Sequence, residues 1–336
     1  MAVETVSLCV VALNEEKFLP NLLNDLSRQT YPREKTEIVL IDSGSSDGTP
    51  EIMESFRQQH SEEFLSVQVL PNPGGIQASG WNVAIRNFKG DVMIRIDAHT
   101  HIPEEFTARN MKNLREGEFI SGGIRPCLIE GSSPWKKLLL QTENSLFGSS
   151  IGRSGGSRQK EYVKTFFHAA YRREVFEKVG LFNENLLRTE DNELHYRMRQ
   201  AGYRFALDPE IVSYQYARSD FRRMIRQKYS NGYWIGLTLS VCPGCISLYH
   251  LVPFVFLLAI AATTVLAMAG WWGFAAVMWG LYLLFGLAGT VSAWVKDGFH
   301  LNNLLMPVLF LILHCAYGLG TLVGICSIPR WKKTLR

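Results

Sequence analysis

The sequence predicts an α/β protein: a mostly parallel sheet flanked by helices, followed by C-terminal helices apolar enough to cross a membrane. Three observations predict it. From Val6 to about residue 200, short aliphatic runs alternate with helix-period segments. The runs end, on their carboxyl sides, in polar or acidic residues: Asn14-Glu15-Glu16, Asp42 and Asp97. From Leu248 onward apolar residues dominate and charges nearly vanish. The length of 336 residues suggests roughly two domains. The expected division is a catalytic α/β domain over 1–235 and a membrane region over 247–329, with 222–246 as an interfacial segment.

The elements follow in order. Val6 to Leu13 reads as a buried strand. The next helix places Phe18, Leu19, Leu22, Leu23 and Leu26 on one face. Glu37 to Asp42 is the second strand, with an acid at its carboxyl end. Residues 43–49 turn the chain, and Pro50 opens a helix at a first-turn position that tolerates proline. Leu65 to Leu70 is a third strand, and Gln77 to Asn87 a helix with Trp81, Ala84 and Ile85 facing in. The fourth strand, Asp91 to Ile96, organises the rest. Asp97 and His99 leave its end two residues apart, on one side. Ligands of open parallel sheets bind outside the carboxyl ends of the strands. A carboxylate and an imidazole there could hold a divalent ion against a diphosphate.

Pro103 to Leu114 then reads as a helix, Phe119 to Gly123 as a strand edge, and Phe166 to Ala170 as the lead into a helix through Val179. The stretch Gly148 to Arg158, rich in glycine, serine and arginine, has no apolar period and reads either as a linker or as a lid whose arginines meet phosphates. Thr189-Glu190-Asp191 opens another helix, with Thr189 suited to the N-cap and the acids to the first turn. That helix stops at Ala201-Gly202.

Three apolar segments, 248–268, 271–293 and 304–328, are each long enough to span roughly 30 Å of hydrocarbon. Trp271, Trp272, Trp294 and Trp331 stand near their ends. Three spans would place Arg330, Lys332 and Lys333 outside, against the positive-inside rule. Either the tail breaks the rule, or one segment is re-entrant or interfacial. Pro307 and the Gly318, Gly320, Gly324 series point to the last one. The run from Val6 is too short for a signal peptide, so the α/β domain is expected in the cytoplasm. The net charge of +4 is too small to argue for nucleic acid. Basic clusters at 222–228 and 330–333 fit membrane lipid head groups. Six scattered cysteines make no disulfide framework, and Cys242-Pro-Gly-Cys245 reads as a turn.

Singly, the acids have dull explanations: Asp42 caps a turn, Glu190 and Asp191 serve a helix dipole, and His99 is solvated. Together they fit one site. A nucleotide needs an acidic partner near the first strands, and a diphosphate leaving group needs a metal. A sugar hydroxyl acting as nucleophile needs a carboxylate to take its proton. On these residues the chain resembles the family 2 glycosyltransferases of GT-A fold, inverting and membrane-attached. It is similar to the enzymes of bacterial exopolysaccharide assembly of the succinoglycan-glucosyltransferase kind. The resemblance covers residues 5 to about 215. Val10-Val-Ala-Leu-Asn-Glu-Glu16 and Ile41-Asp-Ser-Gly-Ser-Ser-Asp-Gly-Thr49 match the first nucleotide motifs, and Asn72 to Asn82 the segment beside them. Asp97-Ala-His99 stands at the Asp-x-Asp motif and Thr189-Glu-Asp191 at the Glu-Asp motif.

The resemblance implies that Ala12, Asn14, Glu15, Asp42, Asn72, Gly75, Asn82, Arg95 and Asp97 meet the nucleotide sugar. It assigns Asp97 and His99 to a metal, Mn²⁺ or Mg²⁺, and Glu190 and Asp191 to catalysis, with Asp191 the general base. Arg153, Arg158 and His168 are expected toward the acceptor, in a lid. A histidine in the third metal-motif position favours Mn²⁺ more than two carboxylates would. The Gln-x-x-Arg-Trp motif of processive relatives is absent, with Gln227-Lys-Tyr-Ser-Asn231 near its place, so single sugar addition is expected. The implied reaction moves a sugar, glucose by default, from a UDP-sugar to a lipid-linked (polyprenyl diphosphate) saccharide at the inner, cytoplasmic membrane. The competing readings are a nucleotidyltransferase, which would carry a glycine- and lysine-bearing loop where this chain has Asn14-Glu15-Glu16, and a non-catalytic membrane scaffold that retains the fold.

Overall fold

A computed structural model describes residues 4–128, 131, 133–148, 159–216 and 220–335. The chain falls into two compact units, Met1–Leu128 with Ser154–Tyr216, and Ile129–Arg153 with Ala217–Arg336. In chain order the elements are β1 (Val6–Ala12), α1 (Leu19–Ser27), β2 (Thr36–Asp42), α2 (Thr49–His60), β3 (Ser66–Pro71), α3 (Gln77–Asn87) and β4 (Val92–Asp97). There follow β5 (Thr100–His101), α4 (Phe106–Arg115), β6 (Ile120–Ile124), β7 (Cys127–Leu128), α5 (Pro134–Asn144), β8 (Glu161–Val163), β9 (Ala169–Arg172) and α6 (Arg173–Val179). The last are α7 (Glu190–Gln200), β10 (Phe205–Val212), β11 (Tyr214–Tyr216), α8 (Phe221–Thr238), α9 (Val252–Met268), α10 (Trp272–Asp297) and α11 (Met306–Thr334).

The first unit is built on an eight-stranded sheet in the order β3-β2-β1-β4-β9-β6-β10-β8. β1 to β4 run parallel, and the side chains of β1, β2 and β4 are buried on both faces, while β3 at the sheet edge is half-buried. Val6, Leu8 and Val10 meet α1 on one face, through Leu19, Leu22 and Leu26; Cys9, Val39 and Ile41 meet Trp81 and Ala84 of α3 on the other. The chain steps outward from β1 to β3, then returns to β4 on the far side of β1. That reversal opens a crevice at the carboxyl ends of the central strands.

Phe166 to Ala170 leads, as expected, into a helix through Val179, but with an unforeseen antiparallel strand between, β9, wedged between β4 and β6. Only Arg173–Val179 is helical. The gap between β4 and β6 supplies backbone partners for Ala169–Arg172. The helix expected from Pro103 starts at Phe106. A smaller sheet, β5-β11-β7, follows the strand that bears Asp97. It comes from sequence with no long apolar run.

In the second unit, Leu248–Met268, Trp272–Asp297 and Leu301–Thr334 are long and apolar enough to cross a membrane. The glycines of the last one are a packing face rather than a break. A Cβ on Gly320 would lie 2.1 Å from the Tyr229 carbonyl oxygen, and one on Gly324 equally close to that of Tyr233. From the other side, a Cβ on Gly232 would lie 2.0 Å from the Tyr317 oxygen. α8 and α11 therefore touch backbone to backbone, as small-residue pairs at four-residue spacing allow. Pro307 lies in the first turn of α11 and does not interrupt it. Lys228, buried on α8, is paired with Glu143 of α5 at 3.0 Å.

Candidate functional site

The parallel register sets the site. Ala12 of β1 stands beside Asp42 of β2, and Val11 beside Asp97 of β4. With strands about 4.8 Å apart, the two acids flank the β1 end at a Cα separation of about 10 Å. A nucleoside and its diphosphate fit that span.

The Asn14-Glu15-Glu16 segment docks the turn after β2 against β1. Asn14 adopts the left-handed conformation (φ 55°), which asparagine tolerates. Its Oδ1 accepts from the Ser46 N–H at 2.8 Å, while the Glu16 carboxylate accepts from the Gly48 N–H at 2.9 Å. Asp42 accepts from the N–H groups of Gly44 (3.1 Å) and Ser45 (3.2 Å), so its carboxylate is aimed by its own turn. Asn72 donates to Ser43 Oγ (2.9 Å) and the Ile76 carbonyl (2.8 Å). Gly75, exposed at φ 65°, takes the positive φ that the turn there requires. Asn82 is buried, and its amide pins Phe182 and Glu184.

On β4, Arg95 and Asp97 share a face. Arg95 is only 2 % exposed. It lies against the rings of Trp81 (4.8 Å) and Phe182 (5.6 Å) and makes a bidentate pair with Asp191, the Nη2–Oδ2 distance being 2.9 Å. Arg95, expected among the nucleotide contacts, holds the helix-start acid in this structure. Burial works against its charge, but Asp191 outweighs it and pushes the guanidinium higher still. Asp97 is likewise opposed by burial, yet the hydrogen bond from His168 and the charge of Arg95 hold its carboxyl well below the usual range. His168, expected in a lid, is buried beneath the site: Nε2 lies 3.3 Å from Asp97 Oδ2, and Nδ1 2.9 Å from Ser213 Oγ. Arg153 and Arg158 lie outside the described residues.

His99 has both ring nitrogens engaged. Nδ1 lies 3.1 Å from Glu15 Oε1, and Nε2 lies 2.9 Å from the Gln215 amide nitrogen on β11. Sequence reasoning missed Gln215 and Ser213. Their signal is the alternation Ser213-Tyr-Gln215, which puts both on one face of an extended run.

Glu190 and Asp191 sit side by side at the start of α7 and differ in surroundings. The Asp191 side chain is 23 % exposed. Glu190 is buried, and its Oε2 meets no donor among the described residues. Burial, and then the charge of Asp191, push the Glu190 carboxyl up to about 8. Between about pH 4.5 and 8 the folded chain keeps a proton here that the unfolded chain has released. Stability therefore falls as pH rises through that window, by about 1.4 kcal/mol per unit from this group. Glu190→Gln should flatten that slope: the melting temperature in detergent should match the native one near pH 5 and exceed it at pH 9. Parallel curves for the two proteins would overturn the protonated Glu190.

A divalent ion would find here an ionised carboxylate, Asp97, and an imidazole held in one tautomer, His99. That donor set suits Mg²⁺ or Mn²⁺ when a nucleotide's phosphates complete the shell. Among the described residues no three His, Cys, Asp or Glu side chains gather to hold an ion alone.

The family model for glycosyl transferase family 2 matches residues 7–180 of this chain, and that for glycosyl transferase family group 2 matches 94–289. The chain belongs to glycosyl transferase family 2. It is 24 % identical over 327 residues (95 % of this chain, 97 % of the relative) to the dolichyl N-acetyl-alpha-D-glucosaminyl phosphate 3-beta-D-2,3-diacetamido-2,3-dideoxy-beta-D-glucuronosyltransferase of Methanococcus voltae. It is 28 % identical to the succinoglycan biosynthesis protein ExoA of Rhizobium meliloti, covering 84 % of this chain and 87 % of that one. A mannosyltransferase of Pyrobaculum calidifontis, solved with GDP-Man and Mn²⁺, superposes with a TM-score of 0.62 at 20 % identity, over 96 % of this chain and 88 % of that one. At that identity the likeness establishes the fold, the GT-A type expected from the motifs.

Proposed function

We propose that this family 2 glycosyltransferase is an inverting enzyme. It moves a sugar from a UDP-sugar, glucose being the first to test, to a lipid-linked saccharide. Its catalytic unit would work on the cytoplasmic side of the inner membrane. The observation that carries the reading is the Arg95–Asp191 pair. It fixes the one partly exposed carboxylate of the Glu190-Asp191 motif to the strand that ends in Asp97. A proton acceptor and a diphosphate site are thereby tied to one face of β4. The lipid-linked acceptor is supported by the dolichyl phosphate substrate named for the archaeal relative and by the apolar helices of this chain.

Asp42 and the 43–48 turn would receive the base and ribose, and Asp97 the diphosphate end. Asp97 and His99 would hold Mn²⁺ or Mg²⁺, which when bound would supply positive charge against the departing UDP. Asp191 takes the proton of an acceptor hydroxyl on a carboxylate oxygen. The hydroxyl oxygen bonds to the anomeric carbon from the face opposite the leaving group. The bond from that carbon to the UDP oxygen breaks, and the configuration inverts. Arg95 holds Asp191 aimed, which counts because a base must be in place before proton transfer gains anything.

UDP release by the detergent-solubilised chain tests this, with a panel of UDP-sugars, Mn²⁺, Mg²⁺ or chelator, and membrane lipid extract. Release from one donor, metal-dependent and raised by the extract, is expected. UDP binding without release from any donor would favour the non-catalytic scaffold. No UDP binding would remove the nucleotide reading of Asp42 and Asp97.

A further inference from the structure

His99 stands where two side chains decide what its ring can do. Glu15 Oε1, a hydrogen-bond acceptor, lies 3.1 Å from His99 Nδ1, so that nitrogen is placed to donate. Nε2 is then the ring nitrogen placed to accept. Gln215 presents its amide nitrogen, a donor, to that atom at 2.9 Å. Both contacts require the same tautomer, so the arrangement is internally consistent. A carboxylate behind one imidazole nitrogen, with the other facing outward, is the arrangement that orients histidine ligands and raises their basicity. Glu15 is well placed to do this. Its side chain is 9 % exposed, and its backbone N–H is tied to Thr49 Oγ1 at 2.9 Å. Gln215 is fixed just as firmly from the other side, because β11 pairs with β5 next to His99 and the Tyr216 N–H reaches the His99 carbonyl.

We propose that Glu15 and Gln215 are positioning residues for His99: Glu15 fixes the ring so that Nε2 is its coordinating atom, and Gln215 occupies Nε2 until a divalent cation carrying a nucleotide diphosphate displaces it. The proposal rests on the metal-assisted reading above. It replaces the expected role of Glu15 as a nucleotide contact with one exerted through His99. It also adds Gln215, a residue 116 positions away in sequence, to the site.

Mn²⁺ binding to the full, detergent-solubilised chain in the presence of UDP tests it by electron paramagnetic resonance. The native complex should show coupling to an imidazole nitrogen, and His99→Ala should abolish it. Glu15→Gln keeps the size of the side chain but loses its charge. It should weaken Mn²⁺ about 10- to 100-fold. Gln215→Ala removes a hydrogen bond that the cation must otherwise break, and should tighten Mn²⁺ about two- to tenfold. Melting temperatures of the variants separate lost ligation from lost folding. Nitrogen coupling absent from the native complex, or affinity unmoved by Glu15→Gln and Gln215→Ala in folded protein, would overturn the proposal. If Mn²⁺–UDP still bound through Asp97 in that case, the transfer reading would stand. If the native chain bound no Mn²⁺–UDP, both would fall.

Discussion

Asp191→Asn should lower turnover by about 100- to 10,000-fold while leaving UDP affinity within about twofold of native. The amide has nearly the shape of the carboxylate, so it still accepts one hydrogen bond from Arg95. It cannot take a proton from the acceptor hydroxyl. The substitution has a second consequence, because Arg95 is buried and Asp191 is the carboxylate it binds bidentately. Leaving a buried charge without its counter-charge costs about 3–5 kcal/mol, toward the low end here because the Asp191 side is partly wet. A fall in activity alone would thus mix lost chemistry with lost folding. The double variant Arg95→Met, Asp191→Asn separates them. It removes the stranded charge and should recover melting temperature without recovering turnover. Turnover by the single variant within about tenfold of native would show that the proton goes elsewhere. Recovery of turnover in the double variant would assign Asp191 a purely structural role.

Much of this site was legible because its motifs are local. Asp42, Asp97 and Glu190-Asp191 announce themselves at strand ends or a helix start, where short-range patterns place them without knowledge of the fold. The strands β1 to β4 and helix α3 were equally plain, since buried parallel strands read as aliphatic runs. What escaped was long-range. Arg95 lies on β4 and reads as one more strand residue; only the packing of α7 on the sheet, 96 residues on, turns it into the clamp on Asp191. His168 is expected in an acceptor lid because the sequence does not announce β9, which starts at the next residue and takes its backbone partners from β4 and β6. The packing role of the α11 glycines is long-range for a similar reason. A glycine series weakens a helix in isolation, and its use here depends on the matching glycines of α8.

Asp97→Ala and Asp97→Asn should both abolish the dependence of UDP affinity on Mn²⁺ and reduce turnover by about 100-fold or more, since a bound ion contributes several kcal/mol of charge stabilisation at the leaving group. The pair of variants is informative because Asp97 has two possible duties. It can present a charge toward the diphosphate, and it anchors the buried His168 at 3.3 Å. Burial holds His168 below its ordinary value despite Asp97, so the ring is neutral and the contact is an ordinary hydrogen bond. The side-chain amide of the asparagine variant could still accept that bond; the methyl group of the alanine variant could not. The alanine variant should therefore lose about 1 kcal/mol more stability than the asparagine variant, while the two lose metal dependence equally. Calorimetric titration of UDP with Mn²⁺ and with chelator reads the second quantity, and thermal melting the first. Retained metal dependence in Asp97→Asn would mean that charge at this position is not what recruits the ion. The weight would then fall on His99, and the strand end would hold its cation by an imidazole rather than a carboxylate. If only the alanine variant lost the metal response, Asp97 would act through His168 and the shape of the crevice. Equal loss in both variants with unequal stability is the result that a charge-presenting Asp97, braced from beneath by a neutral histidine, requires.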